Sequence, residues 1–126
     1  MSDEEKKLLI TTYFRQFKDK RPEDFWAWED VEELMHGGEE IAFSLIIDLL
    51  GEASDKDQIA WVATGPFETL LHQHSPTVIK RIQQEVRRNK RLRYALMCIY
   101  VPQSMAAEIE AIKTHYQLSS RESFAL

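Results

Sequence analysis

The chain has 126 residues, with 16 Lys+Arg against 21 Asp+Glu for a formal charge of −5, 44% hydrophobic residues and a single cysteine, Cys98. That is enough for one domain and too little for two ordinary ones, and it is too apolar for a disordered chain. With no second thiol for an intrachain disulfide, a reducing compartment is expected. No apolar run approaches the roughly 18 residues that span a bilayer, and the opening Met1-Ser2-Asp3-Glu4-Glu5 is acidic rather than signal-like, so a cytoplasmic protein without a membrane partner is expected.

Ser2 with Glu5 reads as a capping box that opens a first helix, whose Leu9, Ile10, Tyr13, Phe14 and Phe17 follow the i, i+3, i+4 rule. It should stop near Asp19, because Arg21 precedes Pro22 and is pushed out of the α region. A second helix is predicted over Glu23 to Met35, with Phe25, Trp28, Val31, Leu34 and Met35 inward and Gly37-Gly38 as its end. A third runs from Glu39 to Leu50 with Ile41, Leu45, Ile46, Leu49 and Leu50 inward and Gly51 as its cap, and Ser54 with Asp57 opens a fourth through Ile59, Val62 and Ala63.

Thr64-Gly65-Pro66-Phe67-Glu68 reads as a break and a restart. Pro66 suits a first helical turn, and with Gly65 as cap Glu68 would reach back to free backbone donors. That helix runs through Leu70 and Leu71 to His74, and Ser75-Pro76 starts the next, carried by Val78, Ile79, Ile82 and Val86 to Arg88. Further helices are predicted over Arg91 to Tyr100 and from a Ser104 cap through Met105, Ile109 and Ile112. Residues 1–116 thus form a single helical domain, with a frayed tail over 117–126. Ile41, Leu45, Leu49, Ile59 and Val62 recur at an offset of 37 as Val78, Ile82, Val86, Leu96 and Ile99, a period that suggests stacked helical hairpins of the HEAT type.

The mild net charge conceals a polar layout. Residues 1–55 carry 15 acids and 6 bases, a net of −9, and residues 56–126 carry 6 acids and 10 bases, a net of +4. Glu23 to Asp55 holds 11 acids and no base, whereas Lys80 to Arg93 holds seven bases and one acid. The two stretches either face one another in the fold or present charged faces to partners.

Against that background most chemistries lack support. His72 and His74 are two apart and point away from each other on a helix, without the i, i+4 spacing of a zinc pair. Glu68 and His72 do share a face, but no third ligand lies near and Cys98 sits in an apolar context, so no metal or other cofactor is expected. There is no Gly-x-Ser-x-Gly turn, no cysteine in a polar setting, and four glycines leave no phosphate cradle. Lys80, Arg87 and Arg91, or Arg81 and Arg88, would make a row for phosphates on an unbroken helix, but only Tyr94 interleaves them and the chain is acidic overall, which counts against nucleic acid.

The aromatic cluster is the stronger feature. Phe25, Trp26 and Trp28 stand beside Glu29, Asp30, Glu32 and Glu33, and two tryptophans two apart on a helix cannot both face the core. Either Trp26 packs under the first helix against Tyr13 or Phe17, or it is an exposed interface anchor.

The Trp26-x-Trp28 segment, the helix from Ile41 to Leu50, the Gly65-Pro66-Phe67-Glu68-x-Leu70-Leu71 motif and the helix pair that follows to Val101 resemble a family of small uncharacterised bacterial helical proteins. The resemblance implies an all-α domain and brings no activity, so it assigns no catalytic residue. The expectation is an all-α single domain of about seven or eight helices packed as antiparallel hairpins with a HEAT-like middle. Its function is expected to be non-enzymatic protein binding in the bacterial cytosol, in one form as an acidic immunity or antitoxin-like protein that takes a basic partner through Trp26, Trp28, Glu29, Asp30, Glu32 and Glu33. The alternatives are a small enzyme or ligand binder that uses Glu68, His72 and Arg81 in an inter-helix groove, and a nucleic-acid binder that uses Lys80 to Arg93.

Overall fold

A computed structural model describes residues 1–118; most of the predicted tail lies outside them. Among the described residues the elements are all helical: α1 (Asp3–Asp19), a 3-10 turn (Pro22–Asp24), α2 (Phe25–Met35), α3 (Glu39–Glu52), α4 (Lys56–Val62), α5 (Glu68–Gln73), α6 (Ile79–Val86), α7 (Lys90–Leu96), a second 3-10 turn (Gln103–Met105) and α8 (Ala106–His115). A wide, five-residue π-helical turn over Ala63–Phe67 joins α4 to α5, so the two form one continuous rod. The all-α expectation of about seven or eight helices therefore holds.

The start of α1 forms for the reason the sequence suggests. The Glu5 amide donates to Ser2 Oγ at 3.1 Å while Glu5 Oε1 accepts from the Ser2 amide at 3.3 Å, which satisfies two backbone donors that a helix start leaves free. The helix ends at Asp19, and Lys20 turns left-handed (φ 53°) before Pro22. Other caps differ from expectation. Asp55, not Ser54, caps α4, accepting from the Gln58 amide at 2.9 Å, and α3 runs through Gly51 to Glu52 because nothing there requires a left-handed residue. Asn89 caps α7 by accepting from the Leu92 amide at 2.9 Å. Helix α7 ends at Leu96 rather than continuing to Tyr100, and Ser104 lies inside the second 3-10 turn, where its hydroxyl bonds that of Ser75 instead of capping α8.

One apolar cluster draws on every α-helix, with Tyr13, Met35, Ile46, Leu49, Phe67, Leu70, Leu71, Ile82 and Leu96 fully enclosed. Helix α1 packs on α2 and α4, α2 on α3 and the wide turn, and α7 on α3, α4, α6 and α8. Trp61 rather than Trp26 covers the inner face of α1, with ring centroids 4.2 Å from Tyr13 and 4.6 Å from Phe17. Two residues predicted as core face outward: Ile41 is 64% exposed and Phe25 is 44% exposed, stacked on Trp28 at 5.3 Å. Ala27, Val31 and Met35 line the inner side of α2, and Ala42, Leu45, Ile46 and Leu49 that of α3, so each stripe is complete without them. In the repeat at offset 37, exposed Ile41 falls opposite buried Val78, so the first pair occupies different environments.

An ion pair between a buried aspartate and a partly exposed arginine fastens the loop between α1 and α2. Arg15 grips Asp24 with two hydrogen bonds, Nε to Oδ2 at 2.9 Å and Nη2 to Oδ1 at 2.8 Å, and only 3% of the Asp24 side chain is exposed. The hydrogen bond from Arg15 and its charge hold the Asp24 carboxyl below the usual carboxylate range despite burial. A group depressed in the folded state contributes stability above its unfolded pKa, and that contribution is lost as pH falls through the folded value. Asp24→Asn is therefore expected to lower Tm at neutral pH and to converge on the wild type as pH falls below about 4. A constant Tm difference across a thermal-melt series from pH 7 to pH 2 would refute this.

Candidate functional site

Trp26, Asp30 and Glu33 are spaced i, i+4, i+7 on α2 and share one face. With α1 that face forms an open groove of about 470 Å³. Its floor is Leu9 and Leu34, and its walls are Leu8, 58% exposed, and Trp26, 38% exposed. Glu5, Asp30 and Glu33 stand around these apolar side chains, no Lys or Arg lines the groove among the described residues, and none of the three acids makes an ion pair there. A second groove, of about 350 Å³, shares Met1 and Leu34 with the first and continues to Ile41, Leu45 and Glu40 on α3. Lys6, which also lines it, is held by Asp48.

The other three residues of the expected cluster point elsewhere. Trp28 is half-buried under Phe25 and joins the core. Glu29 is exposed away from the groove. Glu32 is half-buried and turned toward the wide turn, where its Oε1 lies 3.8 Å from the position a Cβ on Gly65 would take. The buried Tyr13 hydroxyl has no hydrogen-bond partner among the described residues; burial first, then the Glu32 charge, pushes the Tyr13 phenol far up. Leu8 and Ile41 are groove residues that the sequence reading missed. The run Leu8-Leu9-Ile10 carried a signal for one of them, because three successive residues spaced about 100° apart on a helix cannot all face one core.

Glu68, His72 and Arg81 are not brought together. Glu68 Oε2 accepts from the Tyr100 amide at 3.0 Å, tying the segment after α7 to the wide turn, and does not cap its own helix. His72 is exposed. Arg81 Nε donates to Glu39 Oε2 at 2.8 Å, and Thr77 Oγ1 donates to Glu39 Oε1 at 2.5 Å. Partial burial raises the Glu39 carboxyl, and those two hydrogen bonds outweigh it, so the group sits below its usual range. Nearby, His74 Nε2 lies 3.0 Å from the Met35 carbonyl oxygen at the end of α2.

The basic stretch is dispersed as well. Residues 87–89 leave the helix, so Lys80 and Arg87 do not share an unbroken helix with Arg91. Arg91 Nη1 donates to the Leu50 and Ala53 carbonyls at 2.7 and 2.5 Å, and Arg93 Nη1 donates to the Val86 carbonyl at 2.9 Å. The Arg93 guanidinium also lies 5.1 Å from the Tyr116 ring centroid. Both arginines thus close the carbonyl ends of other helices, while Arg88 pairs with Glu85 at 2.9 Å. Glu39–Arg81 is the one ion pair between the acidic and basic stretches among the described residues. Among those residues no group of three or more His, Cys, Asp or Glu is placed to hold a metal ion, and no helix is long and apolar enough to cross a membrane.

Helices packed on a single apolar cluster, with an acid-rimmed groove on one side, make this an all-α domain. The chain belongs to a family of unknown function, DUF6869, whose model matches residues 15–116 and so spans the whole stretch from Trp26 to Val101 that carried the resemblance. No curated protein and no solved structure matches it.

Proposed function

We propose that this protein is a non-enzymatic binding module of the bacterial cytosol that takes a basic protein partner on the exposed face of α2. The supporting observation is the placement of Trp26, Asp30 and Glu33 on one apolar groove, with both acids free of ion pairs among the described residues. An amphipathic aromatic in a concave site with unneutralised charge around it has the anatomy of an interface anchor and its rim. Acids left unpaired on the surface speed association with a cationic partner more than they add to final affinity. A small immunity or antitoxin-like protein that neutralises a basic toxin is one form this reading takes.

Reversing Glu29, Asp30, Glu32 and Glu33 to lysine is expected to abolish pull-down of the partner, and reversing Asp30 and Glu33 alone to do most of that. A control that makes the same charge change as the Asp30 and Glu33 pair, at exposed Glu52 and Glu108, is expected to retain the partner, because those residues lie outside this groove. Equal recovery by wild type and the fourfold reversal would rule the reading out.

A further inference from the structure

The geometry points to a particular occupant for this face: a short amphipathic helix of the partner, with apolar anchors about one turn apart and Lys or Arg along its flanks. This rests on the binding-module reading above and specifies the shape of what is bound.

Three observations select that shape. The two grooves share Leu34, so Leu8 and Trp26 at one end and Ile41 at the other belong to one apolar path. Along α2 alone, Trp26 to Leu34 covers about 12 Å, at roughly 1.5 Å per residue. With the start of α3 added, the path suits a helix of about three turns. The lining is built of helical ridges, Trp26, Asp30 and Glu33 on α2 and Ile41 and Leu45 on α3, which leave grooves that accept the ridge of another helix. The described residues offer no strand edge, so an extended segment would find no backbone ladder to join.

Charge then decides between occupants of that shape. A second copy docking this face on itself would bring Glu5, Asp30, Glu33 and Glu40 against the same four residues, and like charges at close range oppose association. A cationic helix meets the opposite arrangement: its apolar residues cover Leu8, Trp26, Leu34 and Ile41 while its bases reach the acidic rim. Four exposed or half-exposed apolar side chains in one row are also more than isolated surface hydrophobics require.

The test uses the full chain and three labelled synthetic peptides of about 18 residues: leucine and lysine with leucines at helical i, i+4, i+7 spacing; the same composition with the leucines scattered around the helix; and the patterned peptide with glutamate for lysine. Fluorescence anisotropy is expected to show binding of the first, at least about tenfold weaker binding of the second and none of the third. Leu8→Gln and Ile41→Gln, both at exposed positions and so compatible with folding, are each expected to weaken the first peptide about tenfold. Circular dichroism would confirm that the variants remain folded. Equal binding of the patterned and scattered peptides, or indifference to Leu8→Gln and Ile41→Gln, overturns the helix inference while leaving an acidic binding surface intact. Binding that survives Asp30→Lys with Glu33→Lys but not Leu8→Gln overturns the basic-partner reading instead. Self-association in sedimentation that Ile41→Gln removes would assign the face to a second copy and overturn both.

Discussion

Phe67→Ala is expected to lower the unfolding free energy by about 3–5 kcal/mol, the range for truncating an enclosed aromatic side chain. Phe67 is fully buried in the wide turn between α4 and α5, where α2 packs against that turn. The neighbouring atoms belong to helices fixed on several sides, so the vacated volume has little freedom to collapse. A chain of this length has a total stability of roughly 6–19 kcal/mol, so this one substitution removes a large share of it. Urea denaturation with an unchanged m-value would give the number, and Phe67→Leu, which retains most of the volume, is expected to lose less. A loss below about 1 kcal/mol would mean that the side chain is not enclosed as described.

Arg91→Ala carries the next largest effect, a loss of about 2–3 kcal/mol, because two carbonyls at the end of α3 lose a charged donor at once. The last carbonyls of a helix have no partner within it, and the guanidinium supplies both hydrogen bonds and a positive charge at the negative end of the helix dipole. Lysine at position 91 is expected to recover only part of this, since its ammonium cannot reproduce the planar fork. Lys80→Ala, at an exposed position outside the core, is expected to change stability by no more than about 0.5 kcal/mol. The contrast separates a structural arginine from a phosphate-binding one. If Arg91 served nucleic acid alone, its removal would leave the denaturation midpoint in place and alter only salt-dependent retention on DNA or RNA.

Arg91 also shows what the sequence could and could not disclose. A run of seven bases reads as a charged strip, but whether each guanidinium meets solvent, a carboxylate or a distant carbonyl depends on contacts some 40 residues away. The same limit applies to Glu68, whose acceptor role toward Tyr100 spans 32 positions and leaves no local trace. Local signals fared better. The Ser2–Glu5 box, the stop before Pro22 and the inward stripes of α1 and α8 all depend on neighbours within a turn or two. Periodicity did not single out the face of α2 that carries Trp26, Asp30 and Glu33, since the expected cluster also took in Trp28, Glu29 and Glu32, which point elsewhere. It left Ile41 and Phe25 on the wrong side, because a helical pattern fixes angles within one element and not which of two apolar edges its neighbours cover.

The rod made by α4, the wide turn and α5 contains a piece of arithmetic. Its buried residues Ile59, Ala63, Phe67 and Leu71 recur every fourth position, with Val62, Pro66 and Leu70 between them. In an unbroken α-helix twelve residues at about 100° each would leave Leu71 some 120° around from Ile59, facing away from the core. The wide turn absorbs one residue, and the mismatch drops to about 20°. The segment therefore carries one residue more than a straight helix with the same inward face would need. Pro66, the residue there with no N–H to offer the ladder, is the natural candidate for that surplus, so the Gly-Pro pair that looks like a break between two helices is an insertion held within one.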